Sequence, residues 1–139
     1  MGLLLALAAP RFHNIVPGFE LQSSTRELAA ALRETRSRAL ERGDPAVLVL
    51  DLAQRRYGPG GSGGAGGSSR SKALPGDIVL EALTAAEDIS EETRRAQFRF
   101  FPDGSATGGR ITLSRGERAY RIDIDWLTGR VSILDGPDA

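Results

Sequence analysis

The 139-residue chain contains no cysteine and a single histidine, His13. Without cysteine there is no disulfide framework, no thiolate metal site and no cysteine nucleophile, and the redox compartment is left open. One histidine cannot build a histidine-based catalytic or metal constellation, so a cation site would have to rest on carboxylates alone. The plain reading of His13 is a surface or half-buried side chain. Excess charge is absent too: 18 Lys and Arg balance 18 Asp and Glu. A net charge of zero supplies no global pull toward nucleic acid or anionic membrane, so charge-based recognition has to be local. Long apolar runs are also missing. Met1 to Ala9 falls well short of the roughly 20 residues that span a bilayer, and no basic segment precedes it as in an intact signal peptide. Pro10 then interrupts the run, since it offers no N–H and crowds the preceding turn.

What is present fits one domain with one core, 40% of the residues being hydrophobic. Pro17-Gly18 reads as a break, and Ser24-Thr25-Arg26-Glu27 has the form of a capping box, so a helix is expected to be under way by Glu27. Leu28, Leu32, Thr35 and Ala39 recur at helical spacing and make an apolar stripe suited to lying on a sheet. Arg26, Arg33, Glu34, Arg38, Glu41 and Arg42 fall largely outside that stripe, as a solvated face or as arginines that meet a partner subunit or a phosphate backbone. Gly43-Asp44-Pro45 ends the helix. Ala46 to Leu52 is a continuous apolar, β-branched run expected to be a buried strand, and Arg55-Arg56-Tyr57 extends it or starts the next edge. Residues 58–72, centred on GPGGSGGAGGSS, read as a flexible Gly/Ser-rich loop, native or engineered, with almost no capacity to bury apolar surface. It lacks the G-x-x-x-x-G-K-[ST] pattern of a phosphate-binding loop.

Asp77 to Leu83 reads as a strand and Ala85 to Arg95 as a charged loop. Ala96 to Phe101 returns to strand, with Phe98 and Phe100 on one face. Pro102 cannot continue a central strand, and Asp103-Gly104 is a turn pair. Ser105 to Gly109 forms an ordered loop before Ile111-Thr112-Leu113 resumes β character. Arg110 to Ser114, Arg118 to Trp126 and Arg130 to Leu134 then make a three-stranded meander, joined through Arg115-Gly116-Glu117 and Leu127-Thr128-Gly129. Alternation of Tyr120, Ile122, Ile124 and Trp126 with Arg121, Asp123 and Asp125 predicts one apolar and one charged face, with Trp126 as an inward anchor. Asp123 and Asp125, with Asp103 near, are the one carboxylate set that invites a calcium or acid–base reading. No spacing matches a calcium loop, and arginine-paired strand carboxylates are the commoner arrangement.

FFPDGSATGGRITL and DIDWLTGRVSI, taken with the helix LAAALRETRSRA, resemble the C-terminal motifs and helix of the GspH family, minor pseudopilins of the type II secretion system. The FimT-like minor pilins are the looser relatives. The family's leader peptide, its glycine cleavage site and the Glu a few residues further on are not found at this N-terminus. The resemblance implies an α+β pilin-like fold, an N-terminal helix packed on antiparallel strands in one or two sheets. It divides the chain into a helix remnant and break at 1–18 and a globular domain at 19–139. It assigns Leu3, Leu4, Leu5 and Leu7 to fibre-core packing, and a structural role to the motif residues Phe101, Pro102, Asp103, Gly104, Gly108, Gly109, Trp126, Leu127, Thr128 and Gly129.

The function implied is assembly at the pseudopilus tip, with no cofactor, no metal and no enzymatic activity. The expected partners are other minor and major pseudopilins, with secreted protein substrate as a further candidate. The parent protein would be anchored in the inner membrane by its N-terminal helix, with the globular domain in the periplasm. The alternative is a FimT-like minor pilin that binds DNA for uptake, a role weakened by the acidic end Leu134 to Ala139 and the neutral net charge. A small hydrolase built on Asp103, Asp123 or Asp125 lacks a nucleophile or base network.

Overall fold

The computed structural model describes residues 17–60, 71–84, 89, 90, 92 and 94–135. Among the described residues, one helix, α1 (Pro17–Arg42), is followed by nine strands: β1 (Ala46–Asp51), β2 (Arg56–Pro59), β3 (Lys72–Ala73), β4 (Val79–Leu83), β5 (Ile89–Ser90), β6 (Arg95–Phe100), β7 (Gly109–Arg115), β8 (Arg118–Ile124) and β9 (Val131–Asp135). They form two antiparallel sheets, ordered β3-β2-β1-β6-β5 and β4-β7-β8-β9. This is the α+β arrangement expected, in its two-sheet form.

The predicted stripe of α1 is the buried one. Leu28, Leu32 and Ala39 are fully buried and Thr35 nearly so, and the helix lies across strands of both sheets. At ~25 cal/mol per Å² of apolar surface, each such leucine contributes about 2 kcal/mol relative to an exposed one. The helix begins earlier than the capping box indicates. Pro17 opens it, a position where the missing N–H costs nothing because the first-turn donors have no helical partner. Ser24 and Thr25 then lie inside the helix. Thr25 is fully buried, and its Oγ1 donates to Leu21 O at 2.8 Å, the back-bonding that satisfies a hydroxyl in a helix interior.

The central strand β1 is flanked by β2 and β6. Leu48 and Leu50 lie in the core, and Val49 is also buried. Gly60, just past β2, continues the pairing with β1 through its N–H, which donates to Val47 O at 2.8 Å, and a Cβ there would crowd the Val47 and Val49 side chains at 2.9–3.2 Å. Both ends of the 58–72 segment are strand: Gly58 and Pro59 belong to β2 and Lys72 to β3. Residues 61–70 lie outside the described residues. The stretch read as a loop from Ala85 to Arg95 contains the short strand β5, which pairs Ile89 with Ala96 on β6.

In the second sheet, Ile111 faces Ile122, which in turn faces Ile133. These residues, with Leu80, Leu113, Tyr120 and Ile124, complete the core beneath the helix. Trp126 does not join them. Strand β8 ends at Ile124, and Trp126 is 65% exposed. The cause is Asp125: its Oδ1 accepts from the Leu127 and Thr128 N–H groups at 2.8 and 3.2 Å. This turn stops the two-residue alternation before Trp126. Arg121, expected on a charged open face, is 8% exposed.

A junction of two loops on the helix

The two motif segments are remote in sequence and adjacent in space. The first loop folds back on the end of β6: Gly104 N donates to Phe101 O at 2.9 Å, Phe101 N to Ser105 O at 2.8 Å, and Thr107 N to Arg99 O at 2.9 Å. Asp103 stabilises the turn by accepting from Ser105 N at 2.9 Å and Ser105 Oγ at 2.6 Å. The Ser105 hydroxyl, followed by its N–H, holds the Asp103 carboxyl below the usual carboxylate range, because both bonds favour the charged form. The second loop closes through Gly129 N to Asp125 O at 2.7 Å and Asp125 N to Arg130 O at 2.9 Å.

Three features tie the loops together. Ala106 N donates to Trp126 O at 2.8 Å. Arg36, half-buried on α1, places Nε 3.2 Å from both Gly104 O and Thr128 O, so one guanidinium bridges a carbonyl from each loop. Gly129 has φ +68°, and a Cβ there would sit 2.1 Å from Gly104 O and 2.8 Å from Arg36 Nε. No other residue type fits this place without displacing the backbone. At the other end of the first loop, a Cβ on Gly109 would approach Leu83 O to 2.3 Å, and Thr84 Oγ1 donates to Gly108 O at 3.0 Å.

The sequence-assigned motif residues therefore divide by position. Gly104, Gly108 and Gly129 are buried; Phe101, Pro102 and Gly109 are half-buried; Asp103, Trp126, Leu127 and Thr128 are exposed. Leu3, Leu4, Leu5, Leu7 and His13 lie outside the described residues. Periodicity alone does not reveal Arg36, whose carbonyl partners lie 68 and 92 positions away; its only signal is a place beside Thr35 at the edge of the apolar stripe.

The three candidate carboxylates do not share a site. Asp103 is engaged by Ser105, Asp123 pairs with Arg110 at 2.6 and 3.1 Å, and Asp125 serves its own turn. Among the described residues no group of three or more His, Cys, Asp or Glu is placed to hold a metal ion. Elsewhere, burial and then the nearby Glu27 carboxylate push the Tyr57 hydroxyl up to about 12.

Beside the junction, Arg33, Arg36, Arg130, Asp125 and Thr128 line an open cleft of about 850 Å³ between α1 and the turn that leads into β9. Arg33 Nη2 donates to Val131 O at 3.0 Å.

Residues 24–129, from the helix through both loops, match the family described as Type II transport protein GspH. A type II secretion system protein H of Xanthomonas campestris pv. campestris is 34% identical over 126 residues, which cover 90% of this chain and 69% of that protein. Solved structures share the fold, among them the two that follow. The type IV minor pilin FimU of Pseudomonas aeruginosa has a TM-score of 0.64 at 16% identity, covering 89% of this chain and 97% of that one. The minor pseudopilin EpsH of Vibrio cholerae has a TM-score of 0.62 at 14% identity, covering 86% and 99%. The chain thus has a pilin-like fold, and by its sequence it belongs to the GspH family.

Proposed function

We propose that the chain is a minor pseudopilin of the type II secretion system, which acts near the pseudopilus tip by assembly and not by catalysis. The observation that carries this reading is the reach of the family match, which takes in the helix and both loops of the junction. In this reading Gly104, Gly108, Gly109 and Gly129 act structurally with their loop neighbours, fixing the two loops against α1. A pilin-type N-terminal helix would anchor the subunit in the inner membrane, with Leu3, Leu4, Leu5 and Leu7 packing in the fibre core and the globular domain in the periplasm. No helix among the described residues is long and apolar enough to cross a membrane. The partners are companion minor and major pseudopilins, with secreted substrate as a further contact, and the role is to assist fibre initiation and export across the outer membrane.

The test is titration of the chain against the globular domains of companion minor pseudopilins and, in parallel, against duplex DNA at two salt concentrations. Micromolar or tighter protein binding without a DNA signal supports the reading. Salt-sensitive DNA binding without partner binding would replace it with a DNA-uptake pilin.

A further inference from the structure

The cleft beside the junction holds more cationic groups than its surroundings neutralise. Four arginines outside the cleft meet carboxylates: Arg38 pairs with Glu34, Arg95 with Asp51, Arg110 with Asp123, and Arg115 with Glu20 and Asp77. Arg33, Arg36 and Arg130 line one cleft, and among the described residues none of the three is ion-paired. Arg33 and Arg36 are held through bonds to backbone carbonyls, which orients their guanidinium groups without cancelling their charge. The lining holds a single acid, Asp125, whose Oδ1 accepts two backbone N–H groups, so three cations face one anion. A second, independent feature adjoins the cleft: Trp126 and Leu127, on the same turn as Thr128 and Arg130, are each 65% exposed. Exposed tryptophan beside arginine is the composition that dominates binding energy at protein interfaces.

We infer that this surface docks an acidic polypeptide segment of a neighbouring subunit, with its carboxylates on Arg33 and Arg130 and an apolar side chain against Trp126 and Leu127. Charge complementarity selects the acidic ligand, because guanidinium groups take carboxylates through charge-assisted hydrogen bonds. The apolar turn and the neutral whole-chain charge favour a short peptide over a polyanion, whose attachment depends on many phosphate contacts. That the segment comes from a companion pseudopilin rests on the proposed function; the chemistry of the cleft does not.

The experiment titrates the full chain with a hexapeptide of glutamate and leucine and with its glutamine counterpart. Emission of Trp126, the only tryptophan in the chain, is followed. The glutamate peptide is expected to bind about tenfold or more tightly than the glutamine one, and Arg33→Gln with Arg130→Gln to remove that difference. Circular dichroism confirms that the double variant folds, and Arg36 is left intact because it holds the junction. Equal binding of the two peptides, or an unchanged preference in the double variant, overturns the inference. So does a short DNA duplex that displaces the glutamate peptide at physiological salt.

A companion domain forms the second arm. If it binds the wild-type and double-variant chains equally, the inference falls while the pseudopilin reading stands. If companions do not bind but the glutamate peptide does so through Arg33 and Arg130, the cleft stands and the pseudopilin reading falls.

Discussion

Two turns of the second sheet each contain a glycine with positive φ, and they differ in what surrounds it. Gly116, in the hairpin between β7 and β8, has φ +60° and nothing within 4 Å of the place its Cβ would take. Gly129, between β8 and β9, has a similar φ but is enclosed by Gly104 O and the Arg36 guanidinium. The first glycine serves only its own turn, and the second serves three chain segments at once. Backbone angle alone is therefore a poor guide to how much a turn matters; what matters is whether another part of the chain has closed over it.

Substitution separates the two sites. Gly129→Ala is expected to cost about 3 kcal/mol or more, since the methyl would collide with backbone as well as hold a strained φ; urea denaturation reads this as a lower midpoint with an unchanged slope. Arg36→Ala comes next, at about 1–2 kcal/mol, the loss of one donor shared by two carbonyls. Combined with Gly129→Ala it should show a non-additive effect, because the two sites touch. Gly116→Ala should cost only about 1 kcal/mol, the conformational term alone. A Gly116→Ala loss as large as that of Gly129→Ala would break the comparison.

The smallest effect concerns Asp103, whose lowered value marks the first loop. A carboxyl lowered in the folded state contributes stability above its ordinary value of 3.8 and loses it as pH falls through the lowered one. Ser105→Ala removes the largest of the causes, the bond from the Ser105 hydroxyl. The Asp103 carboxyl, followed by NMR, should then titrate closer to 3.8 and weaken that acid-range stability difference. An unchanged titration would mean that the Ser105 hydroxyl does not hold the turn.

The helix stripe was legible because burial there follows a single period, and Leu28, Leu32, Thr35 and Ala39 satisfy it without reference to distant residues. The strands of the meander were legible for the same reason up to Ile124. Trp126 was misread because period-two alternation carries no information about where a side chain ends a strand, and the Asp125 carboxylate does so by capping two amides. Ser24-Thr25 misled in a related way: the residue types that cap a helix also tolerate its interior once a hydroxyl bonds back to Leu21. Resemblance picked out the junction glycines, yet Arg36 stayed hidden because its partners approach it only after both sheets are assembled.

α1, 26 residues long, extends about 39 Å, and its buried leucines rest on strands from both sheets. A pull along its axis cannot peel the sheets away one strand at a time. It has to slide Leu21, Leu28, Leu32 and Ala39 past both sheets together while Arg36 drags on both loops. The domain is built to resist axial load in shear, with mechanical resistance concentrated where helix, first loop and second loop meet.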